Sequence, residues 1–169
     1  MTDWDTIVTE HAPAVWRTAY RLLSNEADAS DCMQEAFVSA VGVARREAVQ
    51  NWPALLKRLA TTRALDRLRA RMRESARRTA PVDMAALADG DCGPERRSER
   101  RELAGRVRQA LSRLPRQQAE VFCLRFLSGM SYTEIADHLG LRANNVGVLL
   151  HRARSKLREM LAEAQERPG

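Results

Sequence analysis

Apolar residues recur along most of this chain at three- and four-residue spacing, the signature of helices with one buried face. The pattern predicts a first helix from about Trp4 to Leu23, interrupted or kinked near Pro13. Asn25 reads as the N-cap of a second helix that runs to about Ala44, with Asp28 at its third position. Ala29, Cys32, Met33, Ala36, Ala40 and Ala44 share one face of it, whereas Asp31, Gln34, Glu35 and Val38 share the opposite face. Alone, that polar stripe is what any solvated helix presents. A third helix begins at Trp52-Pro53 and continues to about Arg73. Its apolar set drifts from Leu55, Leu56 and Leu59 to Leu65, Leu68 and Met72, which implies different neighbours for its two halves.

The periodicity then lapses. Between Ser75 and Ser98 the chain carries Pro81, Gly90, Gly93 and Pro94 and reads as a linker. Helical patterning resumes near Glu99. Val107, Ala110, Leu111 and Leu114 line one helix, stopped before Pro115, and Gln117 to Leu127 forms the next, ended by Ser128-Gly129.

The stretch from Ser131 to Arg154 has the most specific pattern. Ala136, Gly140 and Val146 supply a small contact residue, a turn residue free to take positive φ, and an apolar anchor facing back. This is the spacing of a helix-turn-helix, whose second helix lies in a major groove of DNA. That last helix runs to about Ala162, with Val146, Leu149, Leu150, Ala153 and Leu157 inward. Asn144, Val148, His151 and Ser155 point outward, flanked by Asn145 and Arg152.

Composition narrows the class. Aromatics are 5% of 169 residues and β-branched runs are few, so small aliphatic cores between helices are expected and the fold should be all-α. The net charge of +6 comes from 28 basic residues, of which only Lys57 and Lys156 are lysine. Placement says more than the total. Lys57, Arg58, Arg63, Arg67, Arg69, Arg71 and Arg73 crowd the third helix with a single acid, Asp66. From Arg142 to Arg158, Arg142, Arg152, Arg154, Lys156 and Arg158 give +5 with no acid. Dense cationic helices suit phosphate, with arginine and asparagine able to read guanine and adenine edges. Trp52 reads either as a stacking platform for an unpaired base or as a core tryptophan at a helix start.

Other chemistry finds no support. There is no glycine-rich phosphate loop, no H-E-x-x-H and no nucleophile triad, so an enzyme is not expected and no cofactor is called. Cys32, Cys92 and Cys123 form no C-x-x-C pair and, with His11, His138 and His151, suggest no metal site. Three scattered cysteines point to a reducing compartment, and without a leader or a spanning segment a cytoplasmic protein with no membrane insertion is expected.

Three blocks in this order resemble the extracytoplasmic-function (ECF) sigma factors of bacterial RNA polymerase. DASDCMQEAFVSA (28–40) resembles the family's polymerase-clamp helix, and WPALLKRLATTRALDRLRARMR (52–73) its promoter-melting, −10 reading helix. LSRLPRQQAEVFCLRFLSGMSYTEIADHLGLRANNVGVLLHRARSKL (111–157) resembles its −35 reading domain. The resemblance implies two small helical domains, 1–74 and 99–165, joined by a flexible linker, 75–98. It implies an alternative sigma factor that directs core RNA polymerase to promoters and assists their opening. Asp31, Gln34, Glu35 and Val38 would then meet core polymerase. Trp52 and the seven cations of the third helix would serve the −10 element. Arg142, Asn144, Asn145, Val148, His151, Arg152 and Arg154 would serve the −35 element. Acidic Asp83, Asp89 and Asp91 in the linker would mimic a nucleic-acid backbone. Restraint by an anti-sigma protein is compatible with this reading.

The chain also departs from the family. Leu55 stands where a tryptophan is common and Thr62 where asparagine is. In the reading helix, Gly147, Val148 and Leu149 replace the frequent Lys-Ser-Arg, which removes two usual phosphate contacts. A stand-alone helix-turn-helix regulator that never touches polymerase would share the reading helix but would leave the stripe of Asp31, Gln34 and Glu35 unexplained.

Overall fold

The computed structural model describes residues 1–78 and 93–167, and the described residues form seven helices. They are α1 (Trp4–Leu23), α2 (Glu26–Ala44), α3 (Trp52–Arg78), α4 (Pro94–Arg113), α5 (Arg116–Phe126), α6 (Tyr132–Leu139) and α7 (Ala143–Glu166). Asp83, Asp89 and Asp91, expected to mimic a nucleic-acid backbone, and Cys92 lie outside the described residues.

Local chemistry sets most boundaries. Asn25 caps α2, its side-chain oxygen accepting from the Asp28 amide at 2.9 Å. Asn51 does the same for α3, accepting from the Ala54 amide at 3.1 Å, a cap the sequence pattern did not single out. Ser131 and Glu134 close a reciprocal capping box on α6. Gly140 sits at φ 64°, the left-handed geometry that a tight turn between α6 and α7 demands. The expected break at Pro13 does not occur: α1 runs through it. Pro13 is exposed, and Ile7, Val15, Ala19, Leu22 and Leu23 are buried on both sides of it. Burial of that face outweighs the one lost hydrogen bond. The helices also reach into the expected linker from both ends, to Arg78 and from Pro94.

α1, α2 and the first half of α3 pack around Ile7, Val15, Ala36, Ala40, Leu55, Leu56 and Ala60. α5, α6 and α7 pack around Val121, Leu124, Ile135, Val146 and Leu150. Those are the two helical modules, with the helix-turn-helix in the second. Less legible was that they share a third core. Ala19, Leu22, Leu65 and Leu68 from the first module interdigitate there with Leu111, Leu114, Cys123, Ala153 and Leu157 from the second. The apolar drift along α3 now has its cause, because its second half faces this shared core.

Polar groups complete the seam. Arg108 of α4 is buried against the end of α1, donating to the Arg21 carbonyl at 3.3 Å and to the Ser24 hydroxyl. It answers carbonyls that the helix end leaves unpaired, and it complements the negative end of the dipole. Burial, and secondarily the nearby Arg71 charge, lowers its pKa to about 10, so it remains charged at neutral pH. Arg21 donates to the Leu127 carbonyl at 2.5 Å, Lys57 to the Ser128 carbonyl at 3.2 Å and Arg69 to the Leu114 carbonyl at 3.0 Å.

Candidate nucleic-acid and polymerase interfaces

The reading helix α7 turns Val146, Leu150, Ala153 and Leu157 inward, which leaves its other face to solvent. Arg142, Asn144, Asn145, Val148, His151, Arg152 and Arg154 are all exposed. The structure draws Asn144, Val148, His151 and Arg152 around one open recess, with Ala143 and Gly147, and adds Tyr132 from α6. Tyr132 was not anticipated. A single aromatic at the first position of a helix carries no periodic signal, and only its place directly after the capping Ser131 could have suggested it. Arg125 braces this ring, its guanidinium 5.2 Å from the ring centroid and donating to the Met130 carbonyl at 3.0 Å. Arg154 lies apart from the recess, 5.7 Å over the Phe126 ring.

On α2 the anticipated stripe faces outward. Asp31 and Gln34 are exposed, Glu35 is partly so, and Val38 is 73% exposed, a large apolar side chain standing among carboxylates. The stripe is not free of partners. Arg67 of α3 reaches across to Asp28 and Asp31 at 3.2 Å each and to Glu35 at 2.9 Å. Burial works against the Arg67 charge, but hydrogen bonds to Asp31 and Asp28 and the adjacent Glu35 carboxylate outweigh it and raise its pKa. Arg71 adds a second clamp on Asp28 and donates to the Leu23 carbonyl at 2.7 Å. Arg63 donates to the Ser39 hydroxyl at 3.2 Å. Anticipated polymerase and −10 residues therefore meet in one patch of mixed charge.

The remaining α3 residues divide by exposure. Arg63 and Arg73 are exposed, whereas Lys57, Arg58, Arg67, Arg69 and Arg71 are half-buried. Lys57 and Arg69 point at the second module and hold its carbonyls. Arg58 lines a cleft between the modules beside Asp137 and His138. Trp52 meets the Trp4 ring edge-on at 5.3 Å and belongs to the first module's core. Among the described residues no group of three His, Cys, Asp or Glu side chains could hold a metal ion, and no helix is long and apolar enough to cross a membrane.

An all-α pair of modules, the second offering an exposed cationic reading helix in a helix-turn-helix, defines a DNA-binding class of protein. Residues 7–74 match the family described as sigma-70 region 2, and residues 104–157 match sigma-70 region 4. The ECF RNA polymerase sigma factor SigE of Mycolicibacterium smegmatis is 33% identical over 165 residues, covering 96% of this chain and 63% of that one. The ECF sigma factor SigM of Mycobacterium tuberculosis is 32% identical over 163 residues, covering 94% of this chain and 76% of that one. The chain belongs to the ECF sigma factors of the sigma-70 family. It spans somewhat under two thirds of the length of the SigE relative. In fold it resembles the sigma factor RpoE solved in complex with the anti-sigma factor NepR from Bartonella quintana. The TM-score is 0.60 at 24% identity, covering 96% of this chain and 98% of that one. CnrH, solved in complex with the cytosolic domain of CnrY, gives 0.59 at 25% identity, covering 94% of this chain and 87% of that one.

Proposed function

We propose that this protein is an alternative sigma factor that directs core RNA polymerase to a distinct set of promoters and helps open them. The observation that carries the reading is the order of its two modules. A region 2 module bears an outward acidic stripe on α2, and a region 4 module bears an outward cationic face on α7. Carboxylates on a rigid helix suit a basic partner surface, here core polymerase. Arginines and asparagines on α7 suit the phosphates and base edges of a −35 element. Strand separation costs a few kcal/mol per unstacked step. Exposed cations on α3, Arg63 and Arg73 among them, would offset that cost once the −10 strand is exposed.

Reach adds a condition. Elements named −10 and −35 are about 25 base pairs apart, roughly 85 Å along the duplex at ~3.4 Å per step. A compact chain of this size has a radius of gyration of about 15 Å and is roughly 40 Å across. The shared core must therefore open before both elements can be held together. Opening also releases Lys57 and Arg69 from the carbonyls of the second module. A protein that grips both modules at once would keep the seam shut. This favours restraint by an anti-sigma protein, the kind of partner present in the RpoE structure.

Run-off transcription with purified core polymerase on a promoter library tests the reading. Discrete transcripts that core alone does not make are expected. Binding to duplex DNA without any association with core would instead make this a stand-alone regulator.

A further inference from the structure

The reading helix carries an apolar feature that a phosphate-binding face does not need. Val148 is 47% exposed and Tyr132 43% exposed, and both line the recess in front of α7. Gly147 lines it with them. Its φ is not positive, and a Cβ built there would come no nearer than 3.8 Å to any atom beyond its chain neighbours and the adjacent helix backbone, the nearest being Cε2 of Tyr132. The fold thus has room for alanine at Gly147 and no backbone reason for glycine, while glycine inside a helix costs about 1 kcal/mol. What glycine provides is a notch in that lining: a longer side chain would extend from α7 toward the Tyr132 ring. The Tyr132 wall is fixed from behind by Arg125. The rim is polar, formed by Asn144, His151 and Arg152.

We propose that this notch reads a thymine, seating its C5 methyl on Val148 against the Tyr132 ring. The inference rests on the sigma-factor reading above and names one base that the second module selects. The occupant follows from charge and position. From 142 to 158 the helix carries five cations and no acid, which favours duplex DNA over an apolar protein segment. The first turns of a reading helix are the part that meets base edges. In the major groove the one apolar group a base presents is the thymine methyl, and small apolar side chains are its partners.

The test removes that methyl and nothing else. Promoters selected by the holoenzyme are remade with each −35 thymine replaced in turn by uracil, and holoenzyme affinity is measured. One position should lose about four-fold, the worth of burying a single methyl group. That loss should vanish in Val148→Ala, which withdraws the contact, and in Gly147→Lys, which fills the notch. Val148 is exposed and a Cβ at Gly147 meets no clash, so thermal melting checks that each variant is folded. Promoter-specific transcripts with no uracil-sensitive thymine would overturn this inference alone. So would a uracil effect that survives in both variants, which would place the methyl's contact elsewhere on the protein. No specific transcript from any template would overturn the sigma reading and this inference with it.

Discussion

The Lys57 ammonium, on the helix expected to serve the −10 element, donates to the Ser128 carbonyl of the opposite module at 3.2 Å. Beneath that contact the two modules share Leu65, Leu68, Leu111 and Leu114 in one core. Free protein should therefore scatter as a single body, with a radius of gyration of about 15 Å. Leu65→Asp buries a charge in the seam and should expand the particle measurably, with helical content retained. A larger radius for the unmodified chain would show that the seam does not persist in solution.

Arg67 touches three carboxylates and is 30% exposed. Arg67→Ala removes the clamp and leaves Asp28, Asp31 and Glu35 to repel one another. Surface pairs contribute roughly 0.2–1 kcal/mol each, so a loss of about 1–2 kcal/mol is expected in urea titration. Added salt should shrink the difference from wild type, because the residual repulsion is screened.

Val38 offers the cleanest probe of the proposed polymerase face because it is exposed and, unlike Asp31 and Glu35, carries no charge to pair within the fold. Val38→Arg, which sets a cation against the basic partner surface, should not lower melting and should lower affinity for core polymerase at least ten-fold in a pull-down titration. Asp31→Arg should do likewise, with a small stability cost from its lost pairing with Arg67.

Arg152 is exposed on the rim of the recess and Arg154 lies over Phe126. If each meets one phosphate, Arg152→Ala or Arg154→Ala should weaken holoenzyme binding to all promoters alike. Each should also reduce the slope of log affinity against log salt by about 1. An unaltered slope would remove that residue from the phosphate contacts.

The capping box on α6 makes an acid-dependent contribution. The Ser131 amide donates to Glu134 at 3.2 Å, and this bond, against a smaller desolvation, holds the Glu134 pKa below its ordinary 4.5. A carboxyl with a depressed folded pKa stabilises above its unfolded value and loses that contribution as pH falls through the folded one. Glu134→Gln should therefore destabilise at pH 7, with the deficit closing as pH falls below the ordinary 4.5 and through the lower folded value. Ser131→Ala should cost about 1 kcal/mol at neutral pH through loss of the reciprocal cap.

Helices were legible in this chain because small apolar residues at helical spacing leave no other solution. Ala29, Cys32, Ala36 and Ala40 are all buried, as their spacing demands. The reading face of α7 followed from the inward register of Val146 and Leu150. The seam was illegible for a physical reason. Lys57, Arg69, Arg21 and Arg108 all end on backbone carbonyls, which every residue possesses, so nothing in the sequence marks which cation meets which chain segment. A dense run of cations therefore read as a phosphate surface, although part of it holds protein. Asn51 escaped notice as a cap because Trp52-Pro53 alone already announced the helix start.

Cys32 and Cys123 are buried in the core that both modules share. Burial pushes their thiols up to about 11 and about 12, so neither ionises appreciably at neutral pH. Their sulfurs are native gauges of partition. In a Cys92→Ser background, the rate at which a maleimide reaches them would clock how often the halves of the protein come apart, and a tightly bound restraining partner would slow that clock.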